Sequence, residues 1–590
     1  MLTFEDISNP SHVPANLLPA GVPELLAPPA AGQPVVTRLL YQQVNAAGTG
    51  AYAVDHLAEP LATLMAEDRL AQAIVDMGGD PSEPSFLAGR DTAAATGSSA
   101  LAQALPPSRT GQADQGVAEM AVLDAGIAFW NPAFTDPNGQ SRFATFSGLR
   151  LQAGQVVGPQ VLTAQQLSDM VARGHSIPGD RENRRQLAIL MPSSVYAPGP
   201  KGRDLFPPDE MAHGTAMSEM ILSTAPADAR LHGMELPQDV VRDLTGGLMT
   251  GVLVPAVRAL IDQVIAARSD TKPFRMVMLV AFGFLGGPQE GMGVPAPLVS
   301  ALSALLASYR NIGVDVEMVV PMGNHLQDQA HARLTAGRSV GWRIQPDDHS
   351  ANTLELIYQG RPARLRLTAP DGSKLKLRRK RAALGRILYQ GRAIGAVWDE
   401  PLGRGMWRTR ISLTPSATRN TGLSHAPFGR WQVKLRKGRA VQTWVLRDEV
   451  GFDPDPSAPS RRSWLEDGVR PLRDPLGYPF LDDSAAPAGA LVLRDGSASL
   501  LATHQQAQIT SVGAQWSAKP DPTTAQSWYS GNALNGMPPD QWADLSYGAQ
   551  SEYRSIGPFG RRAVLGNGSP RRYRAAGTSL AAALVAGQRA

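Results

Sequence analysis

The segment Ala576–Gly587 constrains this chain most, because its small residues and its Gly-Thr-Ser start favour one kind of packing. Gly577 permits a tight turn, and Thr578 or Ser579 can cap the helix that the following small residues predict. A hydroxyl there lies at the positive end of the helix, beside N–H groups without intrahelical partners. That position suits a nucleophile whose attack creates an oxyanion. A small-residue helix packed closely on a sheet would look the same, so the segment alone leaves both interpretations open.

Two earlier segments carry the other groups that serine chemistry needs. Asp124 follows the apolar run Met120–Leu123 and precedes a glycine turn, so we expect it at the C-terminal end of a buried strand. Active sites collect at that end of an open parallel sheet. His213 precedes a segment whose apolar residues recur at helical spacing. Either residue alone is ordinary, but Asp, His and Ser in glycine-flanked settings together predict a catalytic triad.

Four segments of the chain resemble the subtilisin-like serine peptidases (subtilases). Val122–Ile127 is similar to the Asp motif of the family, and His213–Thr215 matches its His-Gly-Thr motif. Gly577–Ala581 matches the nucleophile motif. Val319–Asn324 resembles the strand whose Gly-Asn end supplies the oxyanion-hole asparagine. The motifs stand in the order of the family, so the resemblance implies a serine endopeptidase that acts on protein or peptide substrates.

The resemblance implies one role for each of four residues. Ser579 would attack the scissile carbonyl, and His213 would take its proton and later protonate the leaving amine. Asp124 would fix the tautomer of the imidazole and stabilise its charged form. Asn324 would donate its side-chain amide to the oxyanion, together with the backbone N–H of Ser579.

The extended segment Met276–Gly287 resembles the strand that lines the substrate cleft in the family. Its register is open, because either Ala281–Gly283 or Phe284–Gly287 can be the matching turn. A peptide laid alongside would pair with its backbone as an added strand. The predicted substrate-binding residues are Ala281, Phe282, Gly283, Phe284, Leu285, Gly286, Met322 and Gly323.

The chain also departs from the family pattern close to the predicted catalytic residues. Ala125 replaces the hydroxyl residue that commonly follows the Asp, and Ala583 stands where proline is usual. Ala216 replaces a frequent histidine. None of these changes removes a predicted catalytic group. The alternative that they support is a catalytically inactive relative that serves as a binding scaffold.

The predicted fold class is α/β, with a subtilisin-like three-layer α/β/α arrangement around a parallel sheet that is interrupted by an inserted antiparallel β-sandwich. Residues 1–115 would form a partly helical N-terminal extension, either packed on the protease or acting as a propeptide. Residues 116–333 and 499–590 would be the two parts of the catalytic domain. Residues 334–498 would be the insert, because they alternate apolar and polar residues between Gly, Pro and Asp turns.

The predicted insert is basic. From His331 to Val450 the chain holds about two dozen lysines and arginines against about eight acids, including the run Lys374–Arg381. A solvated strand face explains this charge most simply. A second alternative function is a polyanion-binding protein, and an acidic partner at the insert stays open. We do not expect nucleic acid, because no DNA- or RNA-binding motif accompanies the charge.

The composition excludes several other chemistries. None of the 590 residues is cysteine, which excludes disulfides, thiol catalysis and cysteine-bound metals. No zinc-type histidine spacing and no phosphate-binding Gly-rich loop occurs, so we predict no metal and no cofactor. A structural calcium ion follows only from the family resemblance and cannot be placed. No signal peptide or membrane-spanning run is visible, so we expect a cytoplasmic protein without a membrane partner, and secretion through a lost leader stays open.

Overall fold

The main feature of the fold is a parallel β-sheet. The computed structural model describes residues 1–6, 105–114, 116–152, 155–157, 161–175, 213–236, 241, 244–360, 363–377, 384–417, 424–447, 460–469, 489–515, 526–545, 562–564, 572–574 and 576–590. Neighbouring strands of this sheet are parallel except for the last pair, and their spatial order is Gln541–Asp544, Ile509–Gln515, Val314–Pro321, Phe274–Val280, Glu119–Asp124, Arg230–Glu235, Phe143–Gly148 and Leu162–Thr163.

Helices cover both faces of the parallel sheet. Along the Glu119–Asp124 strand, Ala121 and Leu123 pack into one apolar core, and Met120 and Val122 pack into another. The first core includes the helices Gly247–Ala266 and Pro297–Asn311. The second core includes the helices Ala164–His175, His213–Thr224 and Thr578–Gln588. A strand buried on both sides explains why its sequence is continuously apolar rather than alternating.

The remaining strands form two antiparallel sheets that share an apolar core. One sheet has eight strands, in the order Leu2–Asp6, Leu384–Tyr389, Arg392–Gly403, Met406–Leu413, Asn352–Gln359, Val441–Val445, His331–Leu334 and Val492–Leu493. The other has five, in the order Lys374–Leu377, Arg364–Thr368, Gly429–Lys437, Ser339–Ile344 and Trp464–Glu466. Their leucines, valines and tryptophans alternate with polar residues, as expected for strands with one buried face.

Smaller elements complete the described chain. Two short hairpins pair Arg150–Gln152 with Gln155–Val157 and Arg562–Val564 with Arg572–Arg574. The 3₁₀ turns are Pro132–Phe134, Leu500–Ala502 and Leu534–Gly536.

The eight-stranded antiparallel sheet is attached to the loop that follows the Phe274–Val280 strand of the parallel sheet. The Glu355 carboxylate is buried and accepts a hydrogen bond from Gly287 N at 2.8 Å. Its other oxygen accepts from Arg410 Nε at 2.9 Å. The chain then returns to the parallel part, where Leu500 N donates to Phe284 O at 2.9 Å. Backbone and charged contacts therefore hold the two parts of the molecule together.

The structure supports the coarse part of the fold prediction. The protein is mixed α/β, with several sheets and few helices, and the alternating segments between residues 353 and 435 are strands as predicted. The subtilisin-like arrangement and the four domain boundaries stay predictions. Among the strands that the sequence did not predict is Leu2–Asp6, from the predicted N-terminal extension, which pairs with Leu384–Tyr389. Residues 7–104 of the predicted N-terminal extension, including its predicted helical part, and residues 378–381 of the basic run lie outside the described residues.

Candidate functional site

The Asp124 carboxylate and the His213 imidazole form a close pair at the C-terminal edge of the parallel sheet. Asp124 ends its strand, and His213 is the first residue of the His213–Thr224 helix. The His213 Nδ1 atom lies 2.8 Å from Asp124 Oδ1 and 2.9 Å from Oδ2. The Asp124 side chain is fully buried, whereas the His213 side chain is 34% exposed. The pair therefore has a buried carboxylate and an imidazole that reaches the surface.

Gly214 and Thr215 explain how the helix approaches the turn after Asp124. A Cβ atom on Gly214 would lie 2.5 Å from Ile127 Cγ1 and 2.8 Å from the Ala125 carbonyl oxygen, so only glycine fits this contact. The Thr215 hydroxyl donates to Gly126 O at 2.8 Å. Gly126 has a φ of 70°, a left-handed conformation that favours glycine. The glycines around Asp124 and His213 thus have a packing role that fixes the distance between the two side chains.

Glu235 is a second buried carboxylate beside the pair, and the sequence analysis missed it. It ends the strand next to Asp124 and stands opposite Asp124 in the parallel register. Its Oε1 atom accepts from Gly126 N at 2.9 Å. Glu235 therefore holds the turn that follows Asp124. In the sequence, Glu235 is marked only by its position at the end of an apolar segment. That position does not show that the segment becomes the strand beside Asp124.

Two opposing influences set the pKa of His213. Burial is the largest single influence and lowers the pKa, because it disfavours the charged imidazolium. The negative charge of Asp124 and the hydrogen bond to it act in the opposite direction. Together they raise the pKa above its ordinary value of 6.5. Asp124 thus stabilises a proton on His213, which a general base needs after it accepts one.

The Ser579 hydroxyl lies near this pair but is bonded elsewhere. Ser579 Oγ donates to the Ala281 carbonyl oxygen at 3.2 Å. The next residue, Phe282, has its ring centroid 6.1 Å from that of His213. Both side chains therefore adjoin the turn after the Phe274–Val280 strand. Among the described residues, no hydrogen bond joins the Ser579 hydroxyl to the His213 imidazole.

Gly577 is the N-cap of the Thr578–Gln588 helix, and no side chain caps that end. The sequence analysis expected Thr578 or Ser579 to do so. Instead, Thr578 Oγ1 donates to Asn324 Oδ1 at 3.0 Å and accepts from Gly323 N at 2.9 Å. The Gly577 N–H donates to the buried Tyr529 hydroxyl at 3.2 Å. Hydrogen bonds to Asn324 and Tyr529, on neighbouring segments, therefore fix the start of the helix. The Thr578 hydroxyl does not cap the helix because it donates to Asn324 instead.

The Asn324 amide is fixed in one orientation by these contacts. Its Oδ1 atom accepts from both Thr578 N, at 2.9 Å, and Thr578 Oγ1. A Cβ atom placed on Gly577 would lie 3.3 Å from Asn324 Nδ2, which is the nearer of the two amide atoms. The amide nitrogen therefore faces the Gly577 turn. With the oxygen used by Thr578, the amide nitrogen is the group that can donate to a ligand beside the Gly577–Ser579 turn.

The eight predicted substrate-binding residues divide by exposure. Phe282 and Gly283 are partly exposed, and the other six are buried. Phe284 packs against Gly246, where a Cβ atom would lie 2.4 Å from the phenyl ring, so its side chain belongs to the core. Only the first of the two possible turns, Ala281–Gly283, has partly exposed residues beside His213.

Buried Ser499 stands between Gly283 and Gly323. A Cβ atom on Gly283 would lie 2.7 Å from Ser499 Oγ, and one on Gly323 would lie 3.3 Å from Ser499 N. The Ser499 N–H donates to Met322 O at 2.7 Å. The strand ends that carry Ala281 and Asn324 are thus bridged by the segment that returns from the antiparallel sheets.

The described ranges hold neither a cluster of metal-binding side chains nor a membrane-spanning helix. No group of three or more His, Asp or Glu side chains in those ranges is arranged to hold a metal ion. None of the helices found there is long and apolar enough to span a bilayer.

Comparison with solved structures finds distant similarity. The chain is similar to the solved structure of the CspB protease of Clostridium perfringens, at 14% identity over 80% of each chain and with a TM-score of 0.49. No protein-family model matches the chain. No curated protein matches it either. The site is therefore interpreted from its own geometry.

Proposed function

We propose that this protein is a serine endopeptidase of the subtilisin type, in which Asp124, His213 and Ser579 form the catalytic triad. One observation carries the proposal: the paired imidazole of His213 and the hydroxyl of Ser579 adjoin the same turn. The ring of His213 lies 6.1 Å from that of Phe282, and Ser579 Oγ donates to Ala281 O. A base that is paired with a buried carboxylate and lies near a helix-start hydroxyl supports acyl transfer.

In the proposed reaction, Ser579 Oγ attacks the carbonyl carbon of a peptide bond, and its proton passes to His213 Nε2. Asp124 accepts a hydrogen bond from the Nδ1–H group of the ring and, without taking that proton, stabilises the imidazolium. The tetrahedral oxyanion receives hydrogen bonds from Asn324 Nδ2 and Ser579 N. When the oxyanion collapses, the C–N bond breaks and His213 gives its proton to the departing amine. Water then hydrolyses the acyl-enzyme with the same base.

The hydrogen bond from Ser579 to Ala281 fits a resting enzyme. The serine side chain turns about one bond between staggered positions, so its hydroxyl can leave the carbonyl without backbone movement. Catalytic hydrogen bonds are often long or absent before substrate binds. We infer that a bound peptide pairs with the Ala281–Gly283 turn, whose residues Phe282 and Gly283 are partly exposed, and that Ser579 then turns towards His213.

The same hydrogen bond favours the second candidate, an inactive scaffold. A hydroxyl committed to Ala281 and not bonded to a base is a poor nucleophile. Substitutions such as Ala125, next to Asp124, are also compatible with lost activity. The two candidates differ in one measurable property, the reactivity of Ser579.

A fluorophosphonate probe measures that reactivity, because it labels an activated serine covalently. We expect the full-length protein to be labelled and the Ser579→Ala variant to remain unlabelled. Ser308→Ala is the matched control, since Ser308 lies on the Pro297–Asn311 helix and donates only within it. It should be labelled like the parent protein. A folded parent protein that takes no label would establish the scaffold and end the peptidase proposal.

A further inference from the structure

The five-stranded antiparallel sheet has a basic outer face. On the Arg364–Thr368 strand, Leu365 and Leu367 are buried in the core, and the arginines alternate with them. The neighbouring strands Lys374–Leu377 and Gly429–Lys437 follow the same pattern. Successive side chains of a strand point to opposite faces, so the polar residues share the outer face. The cations at the centre of that face are Arg364, Arg366, Lys374, Lys376 and Lys434. We call them the basic face.

The register of the strands places like charges directly opposite each other. Arg366 pairs with Lys376 on one side and with Lys434 on the other. Like charges in directly opposed positions destabilise a sheet. The three strands contain no acidic residue, and within the described part of the chain none of the five cations has an ion-pair partner. The stability of the sheet therefore gives no reason for these cations to stand opposite each other.

The other end of the same sheet is neutralised. There Arg343 makes two hydrogen bonds with Glu466, at 2.9 and 3.1 Å, and Arg430 lies 3.4 Å from the same carboxylate. At this end of the sheet, an acidic residue lies beside the two arginines. Among the cations of the basic face there is no acidic residue. This contrast argues that the missing negative charge comes from another molecule.

Arg366 adds a second, independent observation. Its Nε atom is buried and has no hydrogen-bond partner among the described residues. A buried donor left unpaired costs about 1–3 kcal/mol, more when the group is charged. A ligand carboxylate over the centre of the basic face would offset the charge of this guanidinium.

The basic face lies away from the candidate catalytic site. The apolar side of the five-stranded sheet packs on the eight-stranded antiparallel sheet. The eight-stranded antiparallel sheet contacts the loop beside the site through Glu355 and Gly287. The five-stranded sheet contacts the chain after Asn324 at its opposite edge, where Leu465 N donates to Gln329 O at 2.9 Å. A molecule bound to the basic face would therefore be held at a surface that is separate from the proposed cleft, and this inference does not depend on the peptidase activity.

We propose that the basic face binds an acid-rich polypeptide segment in extended conformation. Arg364 and Arg366 on one strand, and Lys374 and Lys376 on the next, stand two residues or about 7 Å apart, and an extended chain presents same-face side chains at the same interval. A segment with an acid at every second position would therefore match the face. Single-stranded nucleic acid is held by stacking on aromatic side chains. The three strands have no aromatic residue on their outer face, since Trp431 is buried.

The test is fluorescence anisotropy of a labelled peptide of alternating Glu and Thr residues, titrated with the full-length protein at several salt concentrations. We expect binding that weakens with salt. Replacing three cations together, Arg366→Gln, Lys376→Gln and Lys434→Gln, should weaken it by about tenfold or more. The matched control Arg343→Gln with Arg430→Gln, at the neutralised end, should bind like the parent.

Thermal unfolding separates binding from folding. The triple variant should unfold at the same temperature as the parent or higher, because it loses like-charge repulsion. Unchanged peptide binding by a folded triple variant would overturn the proposal. So would failure of the parent to bind the peptide, including the case in which it binds duplex DNA or anionic vesicles instead.

Discussion

The strand Glu119–Asp124 has a carboxylate–imidazole pair at each end, and the two pairs differ in their surroundings. At the C-terminal end, Asp124 lies 2.8 Å from His213, whose side chain is 34% exposed. At the N-terminal end, Glu119 lies 2.8 Å from His232, and both side chains are fully buried. The distances are equal, so geometry within the pair does not distinguish a site from a structural contact.

The difference lies in burial and in the neighbouring charges. Arg230 and Arg268 both bond the Glu119 carboxylate, at 3.0 and 2.7 Å. Burial, and then these arginines, lower the pKa of His232 more than Glu119 raises it. The pKa of His213 moves in the opposite direction, because Asp124 outweighs burial there. An imidazole that can take a proton and reach solvent is suited to catalysis, and the enclosed one is suited to holding strands together.

The largest expected effect is on catalysis at the C-terminal pair. Asp124→Asn keeps the shape of the side chain but removes the charge that stabilises the imidazolium. If the triad operates, kcat on a peptide substrate should fall by about 10⁴-fold. Steady-state kinetics measure this, with circular dichroism as the control for folding. A folded Asp124→Asn variant that keeps most of its activity would remove the functional distinction between the two pairs.

The next effect is on stability at the N-terminal pair. Glu119→Gln leaves the buried guanidinium of Arg268 without its carboxylate at 2.7 Å. Asp114 and Asp270 still pair with Arg268, at 2.5 and 2.8 Å, so the expected cost is about 1–3 kcal/mol rather than that of a fully unpaired buried charge. Denaturant unfolding should show that loss, while kcat per folded molecule stays at the parent value. A large drop in kcat without a loss of stability would mean that Glu119 belongs to the chemistry.

The smallest effect is on pH dependence, where the two histidines should act with opposite sign. The folded pKa of His213 is raised, so its stabilising contribution is complete below pH 6.5 and is lost as pH rises through the folded pKa. The folded pKa of His232 is lowered, so its contribution is present above pH 6.5 and is lost as pH falls through the folded pKa.

NMR titration of the two imidazole rings measures these shifts directly. We expect the His213 midpoint above 6.5 and the His232 midpoint below it. The activity should then fall as His213 is protonated, with a midpoint that moves down in Asp124→Asn. Equal midpoints for the two rings would contradict the comparison.

Local patterns account for the close approach of Asp124 and His213. Gly214 and Gly126 flank His213 and Asp124 because the helix and the turn must approach closely, and such requirements are written in adjacent residues. Alternating leucines likewise predicted the strands of the antiparallel sheets, since burial of one strand face needs only period-two patterning. The first strand, Leu2–Asp6, was missed because its partner lies far along the chain.

By itself, the sequence determined which residue types could do chemistry and in what order they occur: Asp124, His213, Asn324 and Ser579. Tertiary structure alone decided their hydrogen bonds. It brought Glu235 behind the Asp124 turn, joined Ser579 to Ala281, and aligned the cations of the basic face without an acid among them. The physical reason is range: a motif records steric needs between neighbours, whereas these contacts join strands and turns that only the folded sheets bring together.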